Sequence, residues 1–239
     1  MEEMPTTTPL MQYRSSRLSV EWAWAKSVNI LFDLDGTLTD PRDGIVRCVQ
    51  YALDRLSLPP RSEAELLHYI GPPLRESFGE LLNTSDCSAI DHAIDLYRER
   101  YSTIGLLENE VYAGIPEALT ALCDRGDTLY VATSKPEIYA QQILEHFGLA
   151  GHFRGIWGCE LDGTRADKGE LIAHLIEQEK LAPSETVMIG DRLHDAVGAR
   201  TNGVVPIGVL WGYGNEAELI SAQCRQLLRA PAELTQVVI

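Results

Sequence analysis

Residues 27–40 read Ser-Val-Asn-Ile-Leu-Phe-Asp-Leu-Asp-Gly-Thr-Leu-Thr-Asp. Residues 28–32 are almost continuously apolar and rich in β-forming side chains, which predicts a strand buried on both faces of a parallel sheet. The run stops at Asp33, and a second carboxylate, Asp35, stands just beyond it, ahead of Gly36. Open α/β sheets carry their chemistry at the carboxyl ends of their strands. This stretch therefore predicts a central strand and the edge of the sheet at which functional groups lie.

The two neighbouring carboxylates point to a bound cation. They repel each other, and a divalent ion is the natural way to keep both ionised. Mg²⁺ prefers one or two carboxylates together with phosphate oxygens and water. The spacing excludes a calcium loop of the EF-hand type, because its sixth and twelfth positions would hold Leu38 and Gly44 instead of Gly and Glu. We therefore expect Mg²⁺ as the cofactor.

Composition narrows the class of protein. A chain of 239 residues with 45% hydrophobic and 23% charged residues fits one doubly wound domain with an inserted subdomain. A net charge of -15 argues against nucleic acid as a partner. No stretch is long and apolar enough for a membrane span, and the first residues do not have the order of a signal peptide.

The cysteines indicate the compartment. Five of them are spread singly along the chain, which favours neither a zinc site nor a disulfide framework. A reducing cytoplasm fits this pattern. We expect a cytoplasmic protein, either a monomer or a homodimer.

The order of predicted elements divides the chain into three parts. Residues 1–26 have no sustained periodicity and are expected to be a poorly ordered extension, in which Trp22 and Trp24 pack on the core or on a partner. Residues 44–110 contain only helical patterns and predict an inserted cap. The remainder, residues 27–43 and 111–239, predicts the α/β core. The helical patterns of the cap lie at about 45–56, 62–70, 73–83 and 86–104.

After the cap, strand and helix patterns alternate. Four further buried strands are predicted at residues 129–132, 153–157, 186–189 and 204–209. Strands that alternate with helices in this way predict a Rossmann-like, doubly wound parallel sheet with helices on both faces.

Polar side chains stand where the second strand ends. Thr133 follows this strand directly, and Ser134 with Glu137 has the spacing of a capping box at the start of a helix. A hydroxyl beside a helix N-terminus suits a phosphate oxygen. The alternative for Thr133 is an ordinary hydroxyl at a strand end.

Two later helix starts also carry charged groups. Lys168 follows a predicted N-cap, Asp167, where a cation opposes the helix dipole. This electrostatic cost makes sense if the ammonium of Lys168 reaches into a functional site. The alternative is that Lys168 is an ordinary surface lysine. After the fourth strand, Asp191 and Asp195 are four residues apart and therefore lie on one face of a helix.

Four segments resemble, in order, the motifs of the haloacid dehalogenase superfamily. They are residues 33–37 (Asp-Leu-Asp-Gly-Thr), Thr133, Lys168, and residues 190–195 (Gly-Asp-Arg-Leu-His-Asp). The resemblance covers essentially residues 28–213. It implies a Mg²⁺-dependent phosphatase that acts on a small phosphorylated metabolite and has a helical cap between its first and second motifs.

The resemblance also implies a role for each motif residue. Asp33 is the nucleophile that forms an aspartyl-phosphate, and Asp35 is the general acid and base. Thr133 and Lys168 bind the phosphoryl group. Mg²⁺ is held by Asp33, the backbone carbonyl of Asp35 and Asp191.

Two residues of the last motif are less defined. Asp195 is either a second metal ligand through water or an anchor for Lys168. His194 has no assigned role.

The substrate is left open between two classes. Residues 70–78 and 209–214, with Ser134 and Lys135, are similar to phosphoglycolate phosphatases and to a related nucleotidase-like subgroup. Phosphoglycolate would place its carboxylate on Arg75 or Lys135. A nucleoside monophosphate would stack its base on an aromatic ring. The candidate rings are Tyr69, Phe78 and Trp211.

Two other functions use the same core. A phosphomutase would transfer the phosphoryl group to a second sugar phosphate instead of water, and a regulatory module would bind phosphorylated ligands without turnover. A dehalogenase is disfavoured, because its relatives generally lack the second aspartate that Asp35 supplies here.

Overall fold

The computed structural model describes residues 27–237. The predicted extension at residues 1–26, with its two tryptophans, lies outside the described residues. The strands are β1 (Asn29–Phe32), β2 (Thr39–Asp40), β3 (Glu110–Val111), β4 (Thr128–Pro136), β5 (Phe153–Cys159), β6 (Thr186–Gly190), β7 (Val205–Val209) and β8 (Gln226–Leu228). The α-helices are α1 (Arg42–Arg55), α2 (Glu63–Leu66), α3 (Leu74–Leu81), α4 (Cys87–Tyr101), α5 (Ile115–Arg125), α6 (Glu137–His146), α7 (Lys168–Glu179), α8 (Leu193–Thr201) and α9 (Glu216–Ser221).

The apolar run at the start of the core is the central strand of a six-stranded parallel sheet, in the order β5-β4-β1-β6-β7-β8. Ile30 and Phe32 belong to an apolar cluster with Leu119 of α5, on one face of the sheet. Leu31 belongs to a second cluster with Leu171 of α7, on the other face. Alternate side chains of a strand point to opposite faces, so β1 is buried on both sides, which confirms the predicted fold class.

The strand order reverses beside β1. From β1 the chain builds outward through β4 and β5, then returns to the other side of β1 and builds outward again through β6, β7 and β8. Ligands of open α/β sheets bind in the crevice at this reversal, outside the carboxyl ends of the strands. Asp33 follows β1 and Asp191 follows β6, so both lie at this crevice.

The segment predicted as a cap is helical. The helices α1 to α4 lie between β2 and β3, and α1 starts at Arg42, two residues before the predicted boundary. The predicted helix at residues 62–70 is shorter than expected, because α2 ends at Leu66 and one 3₁₀ turn, Leu67–Tyr69, follows it. None of the helices between residues 27 and 237 combines the length and hydrophobicity that crossing a bilayer needs.

The two linkers between the cap and the core form a ribbon that the sequence did not predict. Strands β2 and β3 pair antiparallel, with Thr39 opposite Val111 and Asp40 opposite Glu110. Beside this ribbon the linkers touch again, since the amide of Gly44 donates to the carbonyl of Glu108 over 3.0 Å. We call this paired segment, residues 39–44 with 105–111, the neck.

The neck also carries an ion network. Glu108 accepts from Arg100 of α4 at 2.6 and 3.0 Å and from Arg47 of α1 at 2.7 Å. The pKa of Glu108 is lowered to about 2, and the hydrogen bonds from Arg100 are the largest cause. The network therefore ties the second linker to two cap helices.

Substitution of Gly44 by Ala is expected to destabilise the protein, although alanine favours a helix over glycine. A Cβ at Gly44 would lie 2.1 Å from the carbonyl oxygen of Gly105, so the two linkers would have to separate. We expect a loss of about 1–3 kcal/mol, or several degrees in Tm by circular dichroism.

The control is Gly151→Ala, whose added Cβ would meet no atom within 4 Å. Equal Tm values for Gly44→Ala and the native chain would contradict this account of the neck.

Candidate active site

A buried lysine joins three parts of the core. The ammonium of Lys168 lies 2.9 Å from Oδ1 of Asp33 and 2.7 Å from Oδ1 of Asp195, and it donates to the carbonyl of Ala132 over 2.9 Å. The residue is only 4% exposed. Burial disfavours the charged form, but the carboxylates of Asp195 and Asp33 outweigh it and raise the pKa of Lys168. The alternative of a surface lysine is excluded by this position.

Local structure delivers Lys168 to this point. Its helix, α7, starts at Lys168, and the preceding Asp167 caps it by accepting from the amide of Glu170 at 2.9 Å, as predicted. Helix α8 approaches closely, because a Cβ at Gly198 would lie 2.9 Å from the amide of Gly169. This close contact brings Asp195 of α8 within reach of the ammonium.

Three carboxylates form an acidic cluster at the reversal of strand order. Asp33, Asp191 and Asp195 each offer an oxygen within 4.8 Å of the others. Oδ2 of Asp191 accepts from the amide of Tyr213 at 2.7 Å, whereas its buried Oδ1 has no hydrogen-bond partner among the described residues. Burial, followed by repulsion from Asp195 and Asp33, raises the pKa of Asp191 well above its usual range. Burial likewise raises the pKa of Asp195 to about 6.

The fourth carboxylate is held apart from this cluster. Oδ2 of Asp35 lies 2.8 Å from the ammonium of Lys135, which also donates to the hydroxyl of Tyr101 on cap helix α4. Burial raises the pKa of Asp35, with Lys135 acting in the opposite direction and Asp33 contributing less. Oδ1 of Asp35 is buried without a hydrogen-bond partner in the described region.

The residues present fit a divalent cation. The four carboxylates and two ammonium groups of this buried set leave two negative charges in excess, and carboxylate oxygens are preferred Mg²⁺ ligands. Gly36 adopts a left-handed φ of 82°, and a Cβ there would lie 2.3 Å from Oδ2 of Asp191, so only glycine lets the first loop approach that carboxylate. The predicted ligands were Asp33, Asp191 and the carbonyl of Asp35, with Asp195 either a ligand through water or an anchor for Lys168. In the structure Asp195 belongs to the acidic cluster and also contacts Lys168.

A cleft between cap and core opens onto these groups. Its empty volume, with the open solvent at its mouth included, is about 560 Å³. The lining residues are Asp33, Asp35, Ile45, Tyr69, Gly71, Pro72, Leu74, Tyr97, Tyr101, Thr133, Ser134, Lys135, Pro136 and Tyr139. The structure thus places Thr133, Ser134 and Lys135 beside Asp33 and Asp35.

The capping box predicted for Ser134 is wrong. Strand β4 continues through Pro136, and α6 begins at Glu137 without a side-chain cap. The hydroxyl of Ser134 instead donates to the carbonyl of Ala166 at 3.0 Å.

Several residues predicted near the substrate lie elsewhere. Arg75 is not among the residues that line the cleft; its half-exposed guanidinium pairs with Asp91 on α4. Phe78 is buried in the apolar cluster against Tyr97. The indole of Trp211 donates to the carbonyl of Thr37 at 3.0 Å.

The sequence reasoning missed some residues of the site. Tyr101 and Tyr97 were not predicted as site residues, yet both line the cleft together with Tyr139 of α6. Arg192, inside the fourth motif, donates to the carbonyl of Ile70 in the cap at 2.8 Å. The four-residue spacing of Tyr97 and Tyr101 was the available signal for a shared face.

Comparison with known proteins gives one family match over most of the chain. The model of the family described as haloacid dehalogenase-like hydrolase matches residues 30–209.

Two curated relatives have different names. A 5'-nucleotidase of Pseudomonas aeruginosa is 52% identical over 210 residues, covering 88% of this chain and 95% of the relative. The tyrosine-protein kinase PtkA of Mycobacterium tuberculosis is 40% identical over 186 residues, covering 77% of this chain and 62% of the relative.

A solved structure has the same architecture. A predicted phosphatase from Clostridium acetobutylicum superposes with a TM-score of 0.85 at 40% identity, covering 88% of this chain and 97% of that one.

Proposed function

Because the chain belongs to the haloacid dehalogenase-like hydrolases, we propose that it is a phosphatase that hydrolyses small phosphate monoesters through an aspartyl-phosphate. One observation carries the proposal. The Asp33 carboxylate stands at the end of the central strand, paired with Lys168 at 2.9 Å, and it lines the cleft between the cap and the core. The ammonium beside this carboxylate offsets part of its repulsion for an incoming phosphate dianion, which suits Asp33 to the role of nucleophile.

The reaction takes two displacements. An oxygen of Asp33 bonds to phosphorus while the ester P–O bond breaks, and Asp35 gives a proton to the departing alkoxide. Water then attacks the phosphorus of the aspartyl-phosphate, Asp35 takes its proton, and inorganic phosphate leaves as the Asp33 carboxylate is restored. Burial, which raises the pKa of Asp35, supports its use as an acid in the first step.

The surrounding groups bind and neutralise the phosphoryl oxygens. Lys168 supplies a fixed positive charge beside Asp33, and Thr133 supplies a buried hydroxyl from within β4. Asp33, Asp191 and Asp195, with the carbonyl of Asp35, would hold Mg²⁺. When bound, Mg²⁺ adds positive charge next to the oxygens of the transferring group.

We propose nucleoside monophosphates as the substrate class. Tyr69 from the cap and Tyr139 from the core line the cleft and are partly exposed, so their rings are available to a base. Phosphoglycolate needs a cation for its carboxylate, but Arg75 is paired with Asp91 and Lys135 with Asp35. The name of the 52% identical relative, 5'-nucleotidase, supports the same choice.

The five cysteines are free thiols, and we propose the cytoplasm as the compartment on that ground.

Phosphate release from nucleoside monophosphates in Mg²⁺ is expected to fall by more than about 1000-fold in Asp33→Asn, since the amide cannot form the intermediate. The control is Asp43→Asn, which removes an exposed carboxylate from cap helix α1. Persistent turnover in Asp33→Asn would refute the nucleophile assignment. Isomerised sugar phosphate, formed when a hexose bisphosphate is added, would replace the phosphatase with a phosphomutase.

Mg²⁺ is expected to raise the Tm of the native chain by about 5–10 °C at roughly 100 times its Kd. The cation removes the repulsion among Asp33, Asp191 and Asp195. In Asp191→Asn this shift is expected to fall below about 2 °C, while Asp43→Asn keeps it. Equal shifts in both variants would mean that Mg²⁺ binds elsewhere.

Tyr69→Ala is expected to raise KM for a nucleoside monophosphate about 5- to 150-fold, the usual worth of one stacked base. KM for ribose 5-phosphate should not change, because that substrate has no base. Tyr51→Ala, on the outer side of α1, serves as the control. Equal increases for both substrates would contradict a base-stacking role for Tyr69.

A further inference from the structure

A single ammonium connects the cap to the proton-transfer residue. Lys135, on core strand β4, lies 2.8 Å from Oδ2 of Asp35 and donates to the hydroxyl of Tyr101, the last residue of α4. The same ammonium lies 4.9 Å from the centroid of the Tyr101 ring. All three residues are at least nine-tenths buried, so water does not compete strongly for these contacts.

The tyrosine itself is held firmly. Its ring stacks on Tyr97 with 5.1 Å between centroids, and it forms a T-shaped pair with Tyr139 with 5.5 Å between centroids. Tyr97 belongs to the cap and Tyr139 to the core helix α6, so the docked cap sets the position of the Tyr101 hydroxyl. The hydroxyl in turn fixes one side of the Lys135 ammonium.

The two oxygens of Asp35 have different surroundings. Oδ2 is anchored by Lys135, whereas Oδ1 is buried and has no hydrogen-bond partner in the described residues. An unpartnered buried carboxylate oxygen is costly unless a ligand completes it. Anchoring Oδ2 therefore leaves Oδ1 as the oxygen available for proton transfer.

We infer that Tyr101 is a positioning residue for Asp35. Through Lys135 it orients the Asp35 carboxylate, so that the group that gives and takes the proton is aligned only when the cap is docked on the core. The inference rests on the proposed function, in which Asp35 protonates the leaving alkoxide. It assigns to a cap tyrosine a part in the chemical step in addition to its place in the cleft wall.

The test uses two leaving groups. The alkoxide of a nucleoside 5'-monophosphate needs a proton as it departs, whereas p-nitrophenolate does not. Tyr101→Phe keeps the ring and removes only the hydroxyl, so kcat/KM should fall about tenfold for the nucleotide and less than about twofold for p-nitrophenyl phosphate. A Tm measurement establishes that the variant is folded.

A double variant tests the route through Lys135. In a Lys135→Met background, Tyr101→Phe should cause no further loss of kcat/KM for the nucleotide. The hydroxyl acts on Asp35 only through the Lys135 ammonium, which this background lacks. Tyr51→Phe is the matched control, since its hydroxyl contacts Glu99 and Arg55 on the exposed side of the cap. Losses that multiply in the double variant, or that are equal for both substrates, would overturn the inference.

Failure of this inference differs from failure of the proposed function. If the native chain turns over phosphate esters, Asp33→Asn does not, and Tyr101→Phe behaves like Tyr51→Phe, only the role of Tyr101 is lost. If turnover is independent of Asp33, the mechanism itself is wrong. Should Tyr101→Phe fail to fold, Lys135→Met alone must show the same selective loss for the nucleotide, and its absence would also overturn the inference.

Discussion

The pairing of Lys168 with Asp33 and Asp195 is the interaction on which the site depends. Charges of this kind lose several kcal/mol each when they leave water, so they persist in a protein interior only with close partners and further hydrogen bonds. Here the ammonium has two carboxylates and the carbonyl of Ala132. Lys168 of α7 thus contacts Asp33 after β1, Ala132 in β4 and Asp195 in α8. These contacts hold the end of the sheet and two helices in one arrangement.

Glycines of the site allow the carboxylates around that lysine to lie close to the backbone. Carboxylates can crowd together only where the backbone leaves room, and Gly36 and Gly190 leave it: a Cβ would lie 2.3 Å from Asp191 at the first and 2.2 Å from Asp195 at the second. One oxygen of Asp191 has no hydrogen-bond partner within residues 27–237. Repulsion among these carboxylates lowers the stability of the folded protein, and such local costs are typical of functional sites.

The sequence predicted the parts of this site that depend on local pattern. Parallel strands converge at their carboxyl ends, so Asp33, Thr133 and Asp191 could be brought together from strand predictions alone. Contacts that depend on how helices pack were out of reach. The contact of Tyr101 with Lys135 depends on how the cap docks on the core, and the pairing of Arg75 with Asp91 depends on how two cap helices pack together.

Other differences have local causes. The Ser134 capping box failed because an irregular pairing with β5 lets β4 run on to Pro136. Strands β2, β3 and β8 have two or three residues, too few for a period to be recognised.

The neck has a consequence for how the chain folds. Neighbouring strands β1 and β4 are separated in sequence by the whole helical insertion, and joining distant segments costs more chain entropy as the loop between them lengthens. Pairing of Thr39 with Val111 closes the insertion at its base, so the two core segments on either side of the cap lie next to each other. Because the entropy cost of closing a loop rises by only about 0.6 kcal/mol for each doubling of its length, the insertion can vary in length at little cost to the stability of the core.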